Sequence, residues 1–464
     1  MYDMKKNIRR VFWLYFFMFL MIILYLGRFI LTSRDTINST YNPRLNMTDT
    51  KIKRGNIYDA NGNIIAESIL EKGVYKRNYP EGSLFAHTAG FIGDTKGGAE
   101  AKFNFNLQNL DFEVAQRIIN LVNDTPLEGD SIYLTLDTDL QKLVKNALGE
   151  TKGGVVVMEP KTGKILSMVS YPDYNPNTIY ENWDKLIGDN DNSPLINRTA
   201  QGLYPPGSIF KIITASAAMD SIPDINDFHY ECKGSATFGE STIRCYDSIA
   251  HGTVDLAQAL KVSCNTFFSQ ISTEMGPLIL RQYAEKAEFN KRYSFELEHV
   301  SSKFSLDEQS GEGELIQTAI GQGKTLVTPL HMAMLISSVA NEGKMMEPYI
   351  CQSIESKWGR EKQRTLPKIR TQVFEREKAL ELTEMLTAVV DSGTGKGARI
   401  EGLKIAGKTG TAEVSTGEAH GWFIAFAPAE DPKIAVAVVT ENTGGTKKAL
   451  SIAKSIFEYT LKNQ

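Results

Sequence analysis

The sequence predicts an α+β fold in which one antiparallel sheet is covered by helices on both faces. Two strands are predicted early, because Gly153 to Pro172 contains an apolar strand, a Pro-Lys-Thr-Gly turn and a second strand. Three strands are predicted late, in the segments GLKIAGKTGTAE, GWFIAFAP and KIAVAVVTEN, and TKKALSIAKSIFEY predicts a closing helix. Helical patterns fill the interval, so we expect strands from both ends of this region to meet in one sheet.

The composition is that of a globular protein with an ordinary core. The chain has 464 residues, of which 42% are hydrophobic and 23% are charged. Its formal net charge of -4 provides no basic field, so nucleic acid is not an expected partner.

One apolar segment near the N-terminus predicts a membrane anchor. Val11 to Gly27 contains no charged residue, and about 20 apolar residues cross a bilayer as a helix. A cleaved signal peptide is the alternative, but its apolar part is usually only ~7–15 residues long and ends at a small-residue cleavage site. Four cations precede the segment, which favours a cytosolic N-terminus. We therefore expect a cell-membrane protein with a cytosolic tail at residues 1–10 and an anchor at residues 11–31. The rest of the chain is then expected to be extracytoplasmic.

A small α+β module is predicted between this single-pass anchor and the main domain, over 32–148. Residues 32–50 are polar and read as a linker. The segment RGNIYDANGNIIAES predicts two short strands around Asn61-Gly62, and FEVAQRIINLVN predicts an amphipathic helix. The main domain is predicted over 149–464.

The first candidate for chemistry is the segment Ser208-Ile209-Phe210-Lys211. Two prolines and a glycine precede it, so Ser208 is expected near the start of a helix. Residues three apart share a helix face, which predicts that Lys211 contacts the Ser208 hydroxyl. A serine becomes nucleophilic when a base takes its proton, and a lysine whose pKa is lowered is such a base. An ordinary helix start explains the same letters equally well.

Two further segments add polar groups of the required kind. Ser263 and Asn265, in ALKVSCNTFF, place a hydroxyl and an amide two residues apart, although both residue types also favour helix caps. In IAGKTGTAE, Lys408 and the hydroxyls of Thr409 and Thr411 suit a substrate carboxylate, and Gly410 permits close backbone approach.

The three segments together form a known signature. S-x-x-K, S-D-N and K-T-G are the signature of penicillin-binding proteins and class A β-lactamases, and this chain has the three in the same order, with Cys264 in place of the Asp of the second motif. The chain resembles the class B penicillin-binding proteins, and the resemblance covers about residues 50–460. It includes RGNIYDANGNIIAES, YPEGSLFAHTAGFIG and AIGQGKTLVTPLHMAML, which are similar to further motifs of that family.

The resemblance implies a peptidoglycan D,D-transpeptidase with a penicillin-binding fold. Ser208 would attack the D-Ala-D-Ala end of a stem peptide, with Lys211 as base and Ser263, Asn265 and Lys408 assisting. The backbone N–H groups of Ser208 and Thr411 would hold the oxyanion, and β-lactam antibiotics would acylate the same serine. No cofactor is required for this chemistry, and a separate membrane glycan polymerase is the implied partner. A β-lactamase, a membrane sensor and a carboxypeptidase are the alternatives, and the last uses the same residues.

Three cysteines and a histidine lie before or within the second motif. Cys232, Cys245, His251 and Cys264 form the pattern C-x12-C-x5-H-x12-C, and three cysteines with one histidine are a known structural zinc set. Some relatives of the elongation type carry zinc in a similar loop. One alternative is a Cys232–Cys245 disulfide in an extracytoplasmic domain, with Cys264 as a small buried residue, and the other is that neither a metal nor a disulfide forms. His229 and Asp247 are substitute ligands in the zinc reading.

Overall fold

The computed structural model describes residues 2–32, 52–108, 128–414 and 417–462. The predicted linker beyond residue 32 and the predicted helix FEVAQRIINLVN lie outside the described residues. The described strands are β1 Ile57–Tyr58, β2 Ile64–Glu71, β3 Val74–Asn78, β4 Ser131–Leu134, β5 Gly153–Met158, β6 Ile165–Tyr171, β7 Tyr230–Cys232, β8 Ser235–Phe238, β9 Ser241–Arg244, β10 Gly252–Val254, β11 Lys344–Met346, β12 Cys351–Glu355, β13 Glu361–Arg364, β14 Ile369–Gln372, β15 Ala406–Ala412, β16 His420–Ala427 and β17 Ile434–Thr440.

Helices lie between these strands and at both ends of the chain. They are α1 Tyr2–Thr32, α2 Ala86–Ala89, α3 Gly98–Lys102, α4 Asn104–Gln108, α5 Thr138–Leu148, α6 Trp183–Gly188, α7 Lys211–Ser221, α8 Leu256–Val262, α9 Asn265–Lys286, α10 Glu312–Ala319, α11 Pro329–Ala340, α12 Arg376–Ser392 and α13 Lys447–Lys462. Within α1, Lys5–Arg28 is long and apolar enough to cross a membrane, and none of this segment is buried against the rest of the chain.

The main sheet has the order β15-β16-β17-β5-β6, and every neighbouring pair is antiparallel. The five strands are those predicted from the sequence, and both ends of the region supply them as expected. Strand residues alternate between two cores. Val156 and Met158 belong to the larger core, while Val155 and Val157 face a second core that includes residues of α5 and α13.

Helices cover both faces of this sheet. The buried helix α11 contacts β5, β16 and β17 on one face, while α13 contacts β16 and β17, and α5 contacts β5 and β6, on the other. Asp137 and Thr328 accept hydrogen bonds from Leu140 N and His331 N and so begin α5 and α11. The predicted arrangement of helices around an antiparallel sheet is therefore confirmed.

A second sheet of six strands belongs to the region before the main domain. Its order is β13-β12-β4-β1-β2-β3, and the predicted hairpin around Asn61-Gly62 forms β1 and β2. Two of its strands, β12 and β13, come from residues 351–364, more than 200 residues later in the chain. The N-terminal module is therefore completed by a segment of the main domain, which ties the two parts together.

Candidate active site

The turn that carries Ser208 is held between two other segments. A 3-10 helix over Gly207–Phe210 precedes α7, and Gly207 has a φ of +54°. Gly207 N donates to Gly321 O at 2.8 Å. On the other side, a Cβ on Gly410 would lie 2.9 Å from Pro206 O, so strand β15 passes close to the turn. This packing leaves the Ser208 side chain partly exposed at the end of the turn.

The second motif lies at a sharp junction between two helices. Ser263 ends α8 in the left-handed region with a φ of +58°, and the Cys264 thiol accepts a hydrogen bond from Phe267 N at the start of α9. Asn265 Nδ2 donates to Arg244 O at 2.8 Å. The junction therefore fixes both the Ser263 hydroxyl and the Asn265 amide.

Two buried lysines meet at Ser263. Lys211 Nζ donates to Asn265 Oδ1 at 2.6 Å, to Ser263 O at 2.8 Å and to Ser263 Oγ at 3.3 Å. Lys408 Nζ reaches the same Ser263 Oγ at 2.9 Å from strand β15, and it also donates to Thr409 O at 3.0 Å. The hydroxyl of Ser263 thus bridges the amines of the first and third motifs.

Burial changes the charge state of these amines. It lowers the pKa of Lys211 to about 8. Burial, and then the positive charge of Lys211, lower the pKa of Lys408 well below its ordinary value. The amine of Lys211 is therefore neutral above about pH 8, well below the range of an ordinary lysine, and is then available as a base.

The amine of Lys211 bonds to groups other than the expected Ser208 hydroxyl. Among the described residues, no hydrogen bond joins Ser208 to Lys211, whose amine bonds to Ser263 and Asn265. The prediction considered only the local spacing of the two residues, whereas the tertiary fold brings the Ser263 carbonyl and the Asn265 amide oxygen to the amine.

An open groove collects the predicted side chains. Its cavity volume is about 870 Å³, and its lining includes Ser208, Ser263, Asn265, Thr409 and Thr411. Lys211 and Lys408 lie directly behind Ser263. Strand β15 is an edge of the main sheet, and an edge strand is where an extended peptide can add to a sheet.

The four predicted zinc ligands also come together, next to the groove. Their ligand atoms all lie within 4.8 Å of one another. Cys245 Sγ is 3.7 Å from Cys232 Sγ and 3.8 Å from Cys264 Sγ, and Cys232 Sγ is 3.4 Å from His251 Nδ1.

These distances exclude one of the predicted interpretations of the cluster, the disulfide. Tetrahedral zinc with Zn–S bonds of about 2.3 Å separates two thiolate sulfurs by about 3.8 Å, whereas a disulfide needs about 2.05 Å. The four cysteines of the chain are free, so the alternative disulfide is not formed, and the four side chains form a group that could hold a metal ion. His229 and Asp247 are not part of the group that the described residues form.

The arrangement of a serine, two lysines, a bridging serine and an asparagine around one groove matches a known family. The model of the penicillin binding protein transpeptidase domain matches residues 153–462, and that of the penicillin binding protein A dimerisation domain matches 54–132. The chain belongs to the penicillin-binding transpeptidase family. Membership makes it an enzyme of the serine acyl-enzyme type.

Curated relatives of this penicillin-binding transpeptidase support the assignment. The peptidoglycan D,D-transpeptidase PbpA of Mycolicibacterium smegmatis is 31% identical over 447 residues, covering 87% of each chain. The peptidoglycan D,D-transpeptidase MrdA of Acinetobacter baumannii is 30% identical over 451 residues, covering 83% of this chain and 66% of the relative.

A solved structure agrees over nearly the same length. Penicillin-binding protein A of M. tuberculosis, in a ceftriaxone acyl-enzyme complex, aligns with a TM-score of 0.83 and 30% identity over 89% of this chain and 99% of that one.

The structure adds positioning residues that the sequence analysis missed. Glu441, at the end of β17, accepts hydrogen bonds from Arg198 Nε at 2.8 Å and from Tyr204 OH at 2.7 Å. Trp422 Nε1, on β16, donates to Pro205 O at 3.0 Å. These contacts hold the chain that leads into the Ser208 turn against the main sheet, and only the fold brings them together.

Proposed function

We propose that this penicillin-binding transpeptidase cross-links peptidoglycan as a D,D-transpeptidase, through an acyl-enzyme on Ser208. The observation that carries the proposal is the single groove in which Ser208, Ser263 and Asn265 meet, with the amines of Lys211 and Lys408 behind them. A serine nucleophile in the same groove as a buried amine of lowered pKa is the arrangement that acyl transfer requires.

The reaction follows from these positions. Ser208 Oγ attacks the carbonyl carbon of the D-Ala-D-Ala bond, and the Ser208 proton passes to Lys211 as the new C–O bond forms. Ser263 Oγ, which Lys211 and Lys408 share, gives its proton to the D-Ala nitrogen as the C–N bond breaks, and the proton held by Lys211 restores the Ser263 hydroxyl. An amine of a second stem peptide then attacks the ester, which forms the new C–N bond of the cross-link and breaks the C–O bond, and the proton lost by that amine restores the Ser208 hydroxyl.

The donor peptide is proposed to lie along strand β15. Extended peptides add to exposed sheet edges through backbone hydrogen bonds, and Thr409 and Thr411 face the groove there. We assign the oxyanion to the backbone N–H groups of Ser208 and Thr411, a type of site whose single donors matter by about 10²–10³-fold in rate.

Labelling with a fluorescent penicillin tests the nucleophile. The native chain should become covalently labelled, and Ser208→Ala should not. Ser221→Ala, at the end of helix α7 that follows the Ser208 turn, is the matched control and should label normally. Equal labelling of the native chain and Ser208→Ala would refute the assignment.

Product analysis separates the transpeptidase from the carboxypeptidase. With a stem peptide that ends in D-Ala-D-Ala, the transpeptidase should release D-Ala and join the peptide to an added acceptor amine. Release of D-Ala without any joined product, at saturating acceptor, would assign the chain to the carboxypeptidases.

The anchor is proposed to place the catalytic domain outside the cell membrane. Lys5–Arg28 is long enough to span, and the cations at 5, 6, 9 and 10 favour a cytosolic N-terminus. Protease added to intact spheroplasts should digest the catalytic domain. Digestion only after lysis would reverse the topology.

A separate membrane glycan polymerase is the proposed partner. The resemblance to class B penicillin-binding proteins supports this pairing, since residues 51–148 show no glycosyltransferase pattern. Affinity purification of the full chain from membranes should recover such a polymerase, and Ser208→Ala should retain it because the anchor is intact.

We also propose that Cys232, Cys245, His251 and Cys264 hold a structural zinc ion. A zinc ion would clamp the loop before the second motif, because Cys264 lies between Ser263 and Asn265. Protein purified under reducing conditions should contain about one zinc per chain. Cys232→Ser should lose the metal and melt at a lower temperature, whereas Cys351→Ser, which changes an isolated cysteine, should retain it. A native chain without zinc would end the proposal.

A further inference from the structure

Two hairpin tips lie at the same end of the six-stranded sheet. Strands β1 and β4 run parallel, with Ile57 opposite Ile132, and both neighbours β2 and β12 run antiparallel to them. The turns that follow β2 and β12 therefore lie at the end where β1 and β4 begin. The chain also enters the sheet at this end, since Lys53 pairs with Glu128 just before the two parallel strands.

The first tip presents a tryptophan to solvent. Trp358 is 77% exposed, and Lys357 Nζ lies 4.7 Å from the centroid of its ring. The turn is tightly hydrogen-bonded, because Ser356 N donates to Arg360 O at 2.9 Å and Gly359 N donates to Ser356 O at 2.8 Å. A hydrogen-bonded turn thus holds a large aromatic ring away from the body of the protein.

The second tip has the same character. Leu70 is 62% exposed and Val74 is 39% exposed on either side of the turn Lys72–Gly73. Strands β2 and β12 are separated by β1 and β4, so the two hairpins are about 15 Å apart at strand spacings of ~4.8 Å. Two apolar and basic tips therefore define one edge of the module.

The charge at these tips is positive and partly unpaired. Lys362 pairs with Asp130 and Lys76 pairs with Glu71. Within the part of the chain that the structure describes, Lys72, Lys357 and Arg360 have no ion pair. Tryptophan favours the headgroup level of a membrane, and clusters of lysine and arginine bind anionic lipids.

We propose that this edge of the sheet rests on the membrane surface, with Trp358 among the headgroups and Lys72, Lys357 and Arg360 against anionic phospholipid. The inference rests on the proposed anchoring by α1. Residues 33–51 join α1 to the sheet and span at most about 70 Å when fully extended, which keeps this edge within reach of the bilayer. Contact at two tips sets the orientation of the module, and hence of the groove that it supports, relative to the membrane.

Nitroxide probes on the full chain test the contact directly. The native cysteines are buried, so a cysteine introduced as Trp358→Cys or Leu70→Cys can be labelled selectively, and each variant leaves the other tip intact. Leu380→Cys, on an exposed site of α12, is the matched control. The chain is reconstituted in phosphatidylcholine vesicles with or without phosphatidylglycerol, and relaxation of the probe by oxygen is compared with relaxation by a water-soluble nickel complex.

The expected result is an oxygen-to-nickel ratio several-fold higher at positions 358 and 70 than at 380, in vesicles that contain phosphatidylglycerol. Lys357→Glu combined with Arg360→Glu should lower the ratio at position 70. If the probes at both tips are as accessible to nickel as the probe at position 380, the proposal is overturned. A protein partner would then be the remaining candidate to bind the tips. Equal oxygen-to-nickel ratios at positions 358 and 70 in vesicles with and without phosphatidylglycerol would overturn the assignment to anionic headgroups.

Failure of this inference is distinguishable from failure of the proposed function. Flotation of the chain with vesicles reports on the anchor, and fluorescent penicillin labelling of each variant reports on Ser208. Normal flotation and labelling with water-exposed tips would reject the surface contact alone.

Discussion

Gly321→Ala should slow acylation of Ser208 without unfolding the protein. Gly321 has a φ of +79°, and a Cβ added there would lie 1.9 Å from Gly207 O, a backbone atom of the nucleophile turn. Real Cβ contacts stay beyond 3.0 Å, so the two segments must separate by at least the difference of 1.1 Å. A displacement of about 1 Å in a reacting group costs about 10²-fold in rate, which corresponds to about 2.7 kcal/mol in the barrier.

Gly402→Ala provides the matched control. Gly402 has nearly the same φ of +77°, but no atom lies within 4 Å of the Cβ position. Both variants carry the cost of alanine in the left-handed region, about 1–2 kcal/mol, and only Gly321→Ala also moves the turn. The second-order rate of labelling by a fluorescent penicillin should fall by about 100-fold for Gly321→Ala and stay near the native value for Gly402→Ala. Equal rates for the two variants, with both melting temperatures close to native, would refute the steric reasoning.

Three further predictions concern charge and proton transfer. The acylation rate should rise as the pH increases through about 8, because the amine of Lys211 becomes neutral above its lowered pKa and can then accept a proton; a flat profile would contradict this role. Ser263→Ala should lower the rate by about 100-fold or more, because it removes the hydroxyl between Lys211 and Lys408, and a native rate would show that the bridge is dispensable. Glu100→Ala leaves two buried arginines unpaired and should cost about 3–5 kcal/mol in urea unfolding. The control Glu71→Ala, which breaks an exposed ion pair, should cost about 0–1 kcal/mol. Equal losses of unfolding free energy in the two variants would show that the buried ion pairs of Glu100 do not stabilise the fold.

The buried position of Glu100 also has a consequence at low pH. Burial acts to raise its pKa, but the charges of Arg77 and Arg54 outweigh burial and lower it. A carboxyl whose pKa is lower in the folded state adds stability above its unfolded pKa. This contribution is lost as the pH falls through the folded value.

The zinc hypothesis shows where sequence reasoning reached its limit. The spacing of Cys232, Cys245, His251 and Cys264 was compatible with zinc or with a disulfide, because ligand order along a chain carries no distances. The separations of 3.7 and 3.8 Å between sulfurs exclude the disulfide, and zinc stays a prediction. The domain boundaries remain a prediction, and α5, assigned to the N-terminal module, packs on the main sheet.

The sequence by itself determined the strands of the main sheet, the helix after Ser208 and the family, because these depend on local patterns of apolar residues and on short motifs. Only the tertiary structure decided that Ser263 bridges Lys211 and Lys408, that Gly321 supports the nucleophile turn, and that residues 351–364 complete the N-terminal sheet. Each of these features joins residues that are far apart in the chain. Pairing of this kind arises from packing and backbone hydrogen bonds between distant segments, which leave no periodic signal in either segment alone.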